Sequence, residues 1–169
     1  PFHPPAMPDE AFAALRKDEL ARIDKARSAN AQSNGWRQNF QMPAKGRISG
    51  LFGAQRTYRG GIAGSYHSGT DIALPQGTIY TAPADGIVTL AAENPFTLEG
   101  NLLILDHGMG LVSAFLHSSA LLVKEGDAIT QGQPIGKVGM TGRASGPHLH
   151  WGMRWREARL DPLLFANPA

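Results

Sequence analysis

All 20 glycines of this chain lie at or after Gly35. A glycine-free stretch can stay helical along its length, whereas frequent glycine breaks a chain into short pieces joined by turns, so two backbone regimes meet near residue 35. From Pro8 to about Asn30 helix formers dominate. Pro8, Asp9 and Glu10 suit a first helical turn, and Asp18 and Arg22 stand at i,i+4 spacing. One helix is expected there. Its apolar residues Phe12, Leu15, Leu20 and Ile23 make only a thin stripe, too narrow to drive folding alone. The helix is therefore expected to lean on the rest of the chain or to connect to further sequence. A gate over the functional site and a partner-binding helix are the other roles such a segment can play.

Beyond Gly35 short apolar runs alternate with Gly, Pro, Asn and Asp, the pattern of a β-rich domain. The expected strands are Arg47–Phe52, Ile79–Ala82, Gly86–Ala92, Asn101–Leu105, Leu111–Leu116, Pro134–Val138 and His148–Arg154. Seven short strands with tight connections argue for a mainly β, antiparallel two-sheet domain with an N-terminal helix, not for βαβ units. Residues 1–45 are expected to form a helical connector and residues 46–169 the domain.

Several function classes are excluded or weakened at once. With no cysteine, the chain has no disulfide framework, no thiolate zinc site and no cysteine nucleophile. A net charge of +2 gives a weak field: residues 1–46 carry seven basic and five acidic side chains, and residues 47–169 carry nine of each. The basic run Arg16–Arg27 is interleaved with Asp18, Glu19 and Asp24, which reads as a solvated helix face, so no nucleic-acid partner is expected. No apolar run is long enough for a transmembrane segment. The opening Pro1-Phe2-His3-Pro4-Pro5, without an initiator Met, is expected to be the start of a processed or truncated piece whose targeting segment has been removed. A monomer is the expected oligomeric state.

The histidines carry the chemistry. Five of six lie between His67 and His150, and two short patterns stand out. In His67-Ser-Gly-Thr-Asp71 a His and an Asp four apart, with a glycine between them in a loop entering a strand, can turn both side chains to one point. In His148-Leu-His150 the period-two alternation of a strand puts both imidazoles on one face. With His117 after an apolar strand, these supply imidazole and carboxylate donors of the kind that zinc accepts. His107, within Asp106-His107-Gly108-Met109-Gly110, sits in turn-like sequence and reads as structural, and His3 as solvated.

The stretch from Gly46 to Pro162 resembles the M23 zinc metallopeptidases, the lysostaphin- and LytM-like peptidoglycan endopeptidases. The resemblance rests on GRISGLFG (46–53), HSGTDIALPQGT (67–78), APADGIV (82–88), DHGMGLVSAFLH (106–117), VKEGDAITQGQPIGKVGMTGRASGPHLHWG (123–152) and the Asp161-Pro162 pair. It implies a lysostaphin-like fold of the duplicated-hybrid type, with His67, Asp71 and His150 as zinc ligands and His117 and His148 as non-ligand catalytic histidines. The choice of His150 over His148 as ligand comes from the resemblance alone. Two departures are mild: Phe115 stands where the family often has Tyr, and Ala144-Ser145 where Ser or Thr pairs are common.

The resemblance implies Zn2+-assisted amide hydrolysis of stem peptides or cross-bridges of peptidoglycan, in the cell envelope and with a periplasmic source favoured. A DD-endopeptidase is the preferred form, with a glycyl-glycine target as the other. The chain has no HExxH, so histidine, whose ordinary pKa of about 6.5 lies near working pH, is the natural proton carrier. His117 and His148 are assigned jointly to proton transfer and oxyanion stabilisation. The competing class is a non-hydrolytic M23-like module that binds peptidoglycan or activates an amidase, against which the complete set of five residues argues. Gly60, Gly61, Gly64, Gly142 and Gly146 suggest loops walling a groove, with Arg143 and Tyr66 as possible substrate contacts and Trp36, Phe40, Trp151 and Trp155 as packing groups. Residues 123–138 also resemble the hairpin of biotinyl and lipoyl carrier domains but lack the lysine flanked by methionines, so Lys124 and Lys137 read as ordinary surface lysines.

Overall fold

The computed structural model describes residues 9–53, 55–57, 63–66, 69–92, 94–142, 144 and 146–166. Helix α1 spans Asp9–Arg27, and a short 3-10 turn follows at Gly35–Arg37. The strands are β1 (Arg47–Gly50), β2 (Gln55–Thr57), β3 (Ala63–Tyr66), β4 (Thr70–Ala73), β5 (Ile79–Thr81), β6 (Gly86–Ala91) and β7 (Asn101–Gly108). They continue as β8 (Leu111–Ser118), β9 (Ala120–Leu121), β10 (Ala128–Ile129), β11 (Pro134–Lys137), β12 (His148–Trp155) and β13 (Ala158–Leu160). An eight-stranded sheet runs in the order β1-β4-β12-β8-β7-β6-β10, with β13 paired to β12. A second sheet runs β5-β11-β9, and β2 and β3 form a separate ribbon. All these strand pairs are antiparallel. The expected mainly β, antiparallel architecture with its N-terminal helix is thus observed.

The large sheet is covered on both faces at β7, which explains the unbroken Leu102-Leu103-Ile104-Leu105 run there. Leu103 and Leu105 join Ile72, Phe115, Leu149 and Trp151 in the main core, closed from the other side by Tyr80 and Ile135 of the smaller sheet and by Val138 just past β11. Leu102 and Ile104 point the opposite way, into a second cluster with Leu90, Phe96, Val112 and the helix residues Ile23 and Ala26. Burying each such side chain contributes about 1.5–3 kcal/mol.

The helix does not pack as its apolar residues suggest. Leu15 and Leu20 are 41% and 47% exposed, while Ile23, Ala26 and the carboxylate-bearing Glu19 are buried. The seated face therefore runs through positions 12, 16, 19, 23 and 26, and its upper half is polar. Glu19 accepts from the Thr97 backbone N–H at 2.8 Å and from the Thr97 hydroxyl at 3.1 Å. Arg16 donates to both oxygens of Glu99, at 2.7 and 3.0 Å, and to Glu19 at 3.1 Å. These bonds tie α1 to the loop that enters β7.

Three smaller expectations change. The turn expected across 106–110 narrows to Met109-Gly110, both at positive φ (54° and 84°), a two-residue hairpin of the kind that matches strand twist. Trp151 and Phe40 are buried as expected, but Trp36 and Trp155 are 41% and 49% exposed. Residues 123–138 do not make one carrier-type hairpin: β10 pairs with β6 in the large sheet, and β11 pairs with β5 and β9 in the small one.

Candidate active site

Three neighbouring strands, β4, β12 and β8, bring the site together. β12 alternates along its length: Leu149, Trp151 and Met153 are buried in the core, so His148, His150, Gly152 and Arg154 project from the other face. His150 stands directly opposite Asp71 of β4 on one side and Leu116 of β8 on the other. Nδ1 of His150 lies 2.7 Å from Oδ1 of Asp71 and donates to it as an N–H, and Nε2 of His148 lies 3.7 Å from the same oxygen. The rings of His117 and His148 are 5.3 Å apart, and those of His117 and His150 are 6.4 Å apart, centroid to centroid.

His117 sits near the end of β8 in a left-handed conformation, with φ at 65°. For a residue with a Cβ that conformation costs roughly 1–2 kcal/mol, and it persists because Thr141 and the 96–100 loop hold it. The His117 N–H donates to the Glu99 carbonyl at 2.8 Å, and the His117 carbonyl accepts from the Thr141 N–H at 3.2 Å. Its ring closes the clasp, Nδ1 donating to the Thr141 carbonyl at 2.7 Å. His148 is held in the same way, with Nδ1 donating to the Gly146 carbonyl at 2.9 Å. In each ring the remaining lone pair is on Nε2. Burial pushes the His117 imidazole down to about 4, against the opposing pull of the Thr141 carbonyl, so it is neutral at ordinary pH.

Two glycines make room for the Asp71–His150 pair. A Cβ at Gly69, the glycine of the HSGTD pattern, would sit 2.6 Å from Nε2 of His150, and one at Gly50 would sit 2.7 Å from Oδ2 of Asp71. Both distances are too short for real side chains. Converging imidazole and carboxylate donors in so tight a cradle fit a zinc ion, which would take the place of the proton they now share. His67, the third expected ligand, lies outside the described residues, and among the described residues no group of three or more His, Cys, Asp or Glu could hold a metal. Gly60, Gly61 and Arg143 also lie outside them, as does the side chain of Tyr66.

His107, read as structural, is fully buried away from this site. Its Nδ1 donates to the Asp85 carbonyl at 2.7 Å, and its Nε2 accepts from the Ser113 hydroxyl at 2.8 Å. The Ser113 oxygen in turn accepts from Nε1 of Trp151 at 3.1 Å. Thr141 and Gly50 are contributors that sequence reasoning missed. Both lie inside the stretches that carry the M23 resemblance (123–152 and 46–53), but Thr141 acts through loop contacts and Gly50 meets Asp71 only through the pairing of β1 with β4.

The family model for peptidase family M23 matches residues 65–162, more than half of the chain. The chain belongs to peptidase family M23. Among M23 relatives, the peptidoglycan DD-endopeptidase ShyA of Vibrio cholerae is 38% identical over 114 residues, covering 68% of this chain and 26% of ShyA. A crystal structure from Pseudomonas aeruginosa assigned to peptidase M23 superposes with a TM-score of 0.80 at 34% identity, covering 96% of this chain and 65% of that one. A zinc-containing peptidase from Vibrio cholerae superposes with a TM-score of 0.67 at 31% identity, covering 73% of this chain and 39% of that one. The chain spans about a quarter or less of the length of the first curated M23 relatives it matches.

Proposed function

We propose that this chain is a zinc-dependent endopeptidase that hydrolyses peptide cross-links of bacterial peptidoglycan in the cell envelope, at the bond between D-Ala and a diamino acid. The observation that carries the reading is the cross-strand Asp71–His150 pair with the His117 and His148 rings beside it, in an M23 chain. The printed name of ShyA, a peptidoglycan DD-endopeptidase, supports the choice of bond. His67, Asp71 and His150 would hold the metal. Zinc, when bound, supplies Lewis acidity toward the peptide carbonyl and lowers the pKa of water to roughly 7.

The remaining work falls to His117 and His148. With each Nδ1 donating to a backbone carbonyl, each Nε2 is a proton acceptor at rest. Two imidazolium charges with centroids 5.3 Å apart would repel strongly, so only one of the two rings takes up an extra proton at a time during the reaction. The ring that takes a proton from the attacking water can hydrogen-bond the oxyanion through that Nε2–H and then deliver the proton to the leaving amine. Replacing either residue by Ala should cost on the order of 10² to 10⁴ in rate while zinc stays bound. Near-normal turnover in either variant would remove that residue from the mechanism.

Zinc content and muropeptide release from sacculi test the whole reading. Wild type should contain stoichiometric zinc and open cross-links, and His150→Ala should lose both. A metal-free wild type that releases nothing would overturn it in favour of a non-hydrolytic module.

A further inference from the structure

Helix α1 covers the outer face of the large sheet over β6 and β7 but leaves the adjoining strip along β8 and β12 open. A cavity of about 270 Å³ occupies that strip. Its floor includes Ala114 and Gly152, whose small side chains leave space for a ligand backbone, and Leu20 and Ile23 of the helix contribute to its wall. His150 lies at one end. Because His150, Gly152 and Arg154 share one face of β12, the rise of a strand puts Arg154 about 13 Å further along.

At that far end the charges are arranged unusually. Arg154 and Arg159 are directly opposite one another in the β12–β13 pair, a cross-strand arrangement of like charges that is unfavourable by itself. Arg27, at the last turn of α1, lines the same cavity and is half-buried. Burial and the charges of Arg154 and Arg159 lower its pKa, with Asp24 pulling the other way. The acids nearby do not balance the three guanidinium groups. Glu99 is engaged by Arg16, and Glu157 reaches Arg154 at 3.4 Å with its side chain 99% exposed. Among the described residues Asp24 is the remaining carboxylate lining the cavity, and no ion pair joins it to Arg27. Like charges gathered in a partly desolvated groove lower their energy by taking up an anion, and guanidinium groups bind carboxylate through paired, charge-assisted hydrogen bonds.

We propose that Arg27, Arg154 and Arg159 form a carboxylate subsite at the far end of a peptide groove that starts at His150, selecting acidic peptides whose free carboxylate lies about four residues from the cleaved bond. This rests on the reading of His150 as part of the hydrolytic centre. An extended peptide occupies about 3.3 Å per residue, so a short acidic peptide spans the distance from the reacting carbonyl to the arginines. The helix thereby contributes one wall and one of the three cations of the subsite.

The test compares two synthetic peptides of identical sequence, one with the distal carboxylate free and one with it amidated. Binding is measured by calorimetry and cleavage by chromatography, on the full zinc-loaded chain and on its Arg154→Gln and Arg159→Gln variants. The wild type should favour the acid over the amide by about tenfold or more in Kd and in kcat/KM, as expected for hydrogen bonds to a charged group. Each variant should bring that ratio toward one, with thermal melting showing that the fold is kept. Equal affinity of wild type for the two peptides, or variants that weaken both peptides alike, would overturn the subsite. Acid-selective binding without cleavage of either peptide would sink the hydrolytic reading and leave the subsite standing. Cleavage of both peptides at equal efficiency would do the reverse.

Discussion

The buried His107 makes stability depend on pH in a way that can be worked out from its surroundings. Trp151 donates to Ser113, Ser113 donates to Nε2 of His107, and Nδ1 of His107 donates to the Asp85 carbonyl, so every donor and acceptor in the chain is matched when the ring is neutral. A second ring proton would place an N–H against the Ser113 hydroxyl and strand its hydrogen. Burial lowers the His107 pKa from 6.5 to about 4. Between those values the unfolded chain binds the proton and the folded chain does not, so stability falls as pH drops below about 6.5 and levels off near 4. A shift of that size corresponds to about 3 kcal/mol at 1.36 kcal/mol per pH unit, a large part of the stability of a small domain. His117 shifts in the same direction, so the His107 share is read from the difference between wild type and His107→Gln in urea unfolding at pH 8 and pH 4. The variant should be less stable than wild type at pH 8 and lose about 3 kcal/mol less on acidification. Proton NMR should show the His107 ring still neutral at pH 5. Equal acid sensitivity in the two proteins would refute the reasoning.

Other outcomes follow from the same contacts. Gly69→Ala, which drives a Cβ against Nε2 of His150 and the Trp151 carbonyl, should abolish zinc retention and also lower the melting temperature of the metal-free protein, as zinc analysis and calorimetry would report. Glu19→Ala removes acceptors from Thr97 and Arg16 at a buried site, and should destabilise the chain by about 1–3 kcal/mol in urea titration. Thr141→Val keeps the side-chain shape but loses the hydroxyl contacts with Asn101 and Ser118. It should lower kcat severalfold with little change in KM, because the loosened loop carries the carbonyl that orients His117.

Much of this was legible in the chain, and the misses have physical causes. The period-two placement of His148 and His150 held because β12 is buried on one face and needs strict alternation. A strand was expected after the His67–Asp71 loop but not given bounds, because Thr70 and Asp71 interrupt its apolar signal, although Thr70 is fully buried. Strands β9 and β10 have two residues each, too few to show a period. The stripe on α1 misled because the helix is seated through Arg16 and Glu19, whose partners on the 96–100 loop lie far away in sequence. The contact between His150 and Asp71 depends on register across two strands, which local pattern does not encode.

The position of β12 between β4 and β8 also bears on when the protein can act. Asp71 and His117 belong to strands made earlier in synthesis, and the later strand that carries His148 and His150 must slot between them. Such long-range insertion closes large loops and is slow compared with forming local hairpins. A nascent chain that has folded only through β8 leaves the facing edges of β4 and β8 unpaired and lacks the His150 partner of Asp71. The Asp71–His150 pair is therefore absent until this central strand zips into place, and on the proposed reading cleavage competence coincides with that insertion.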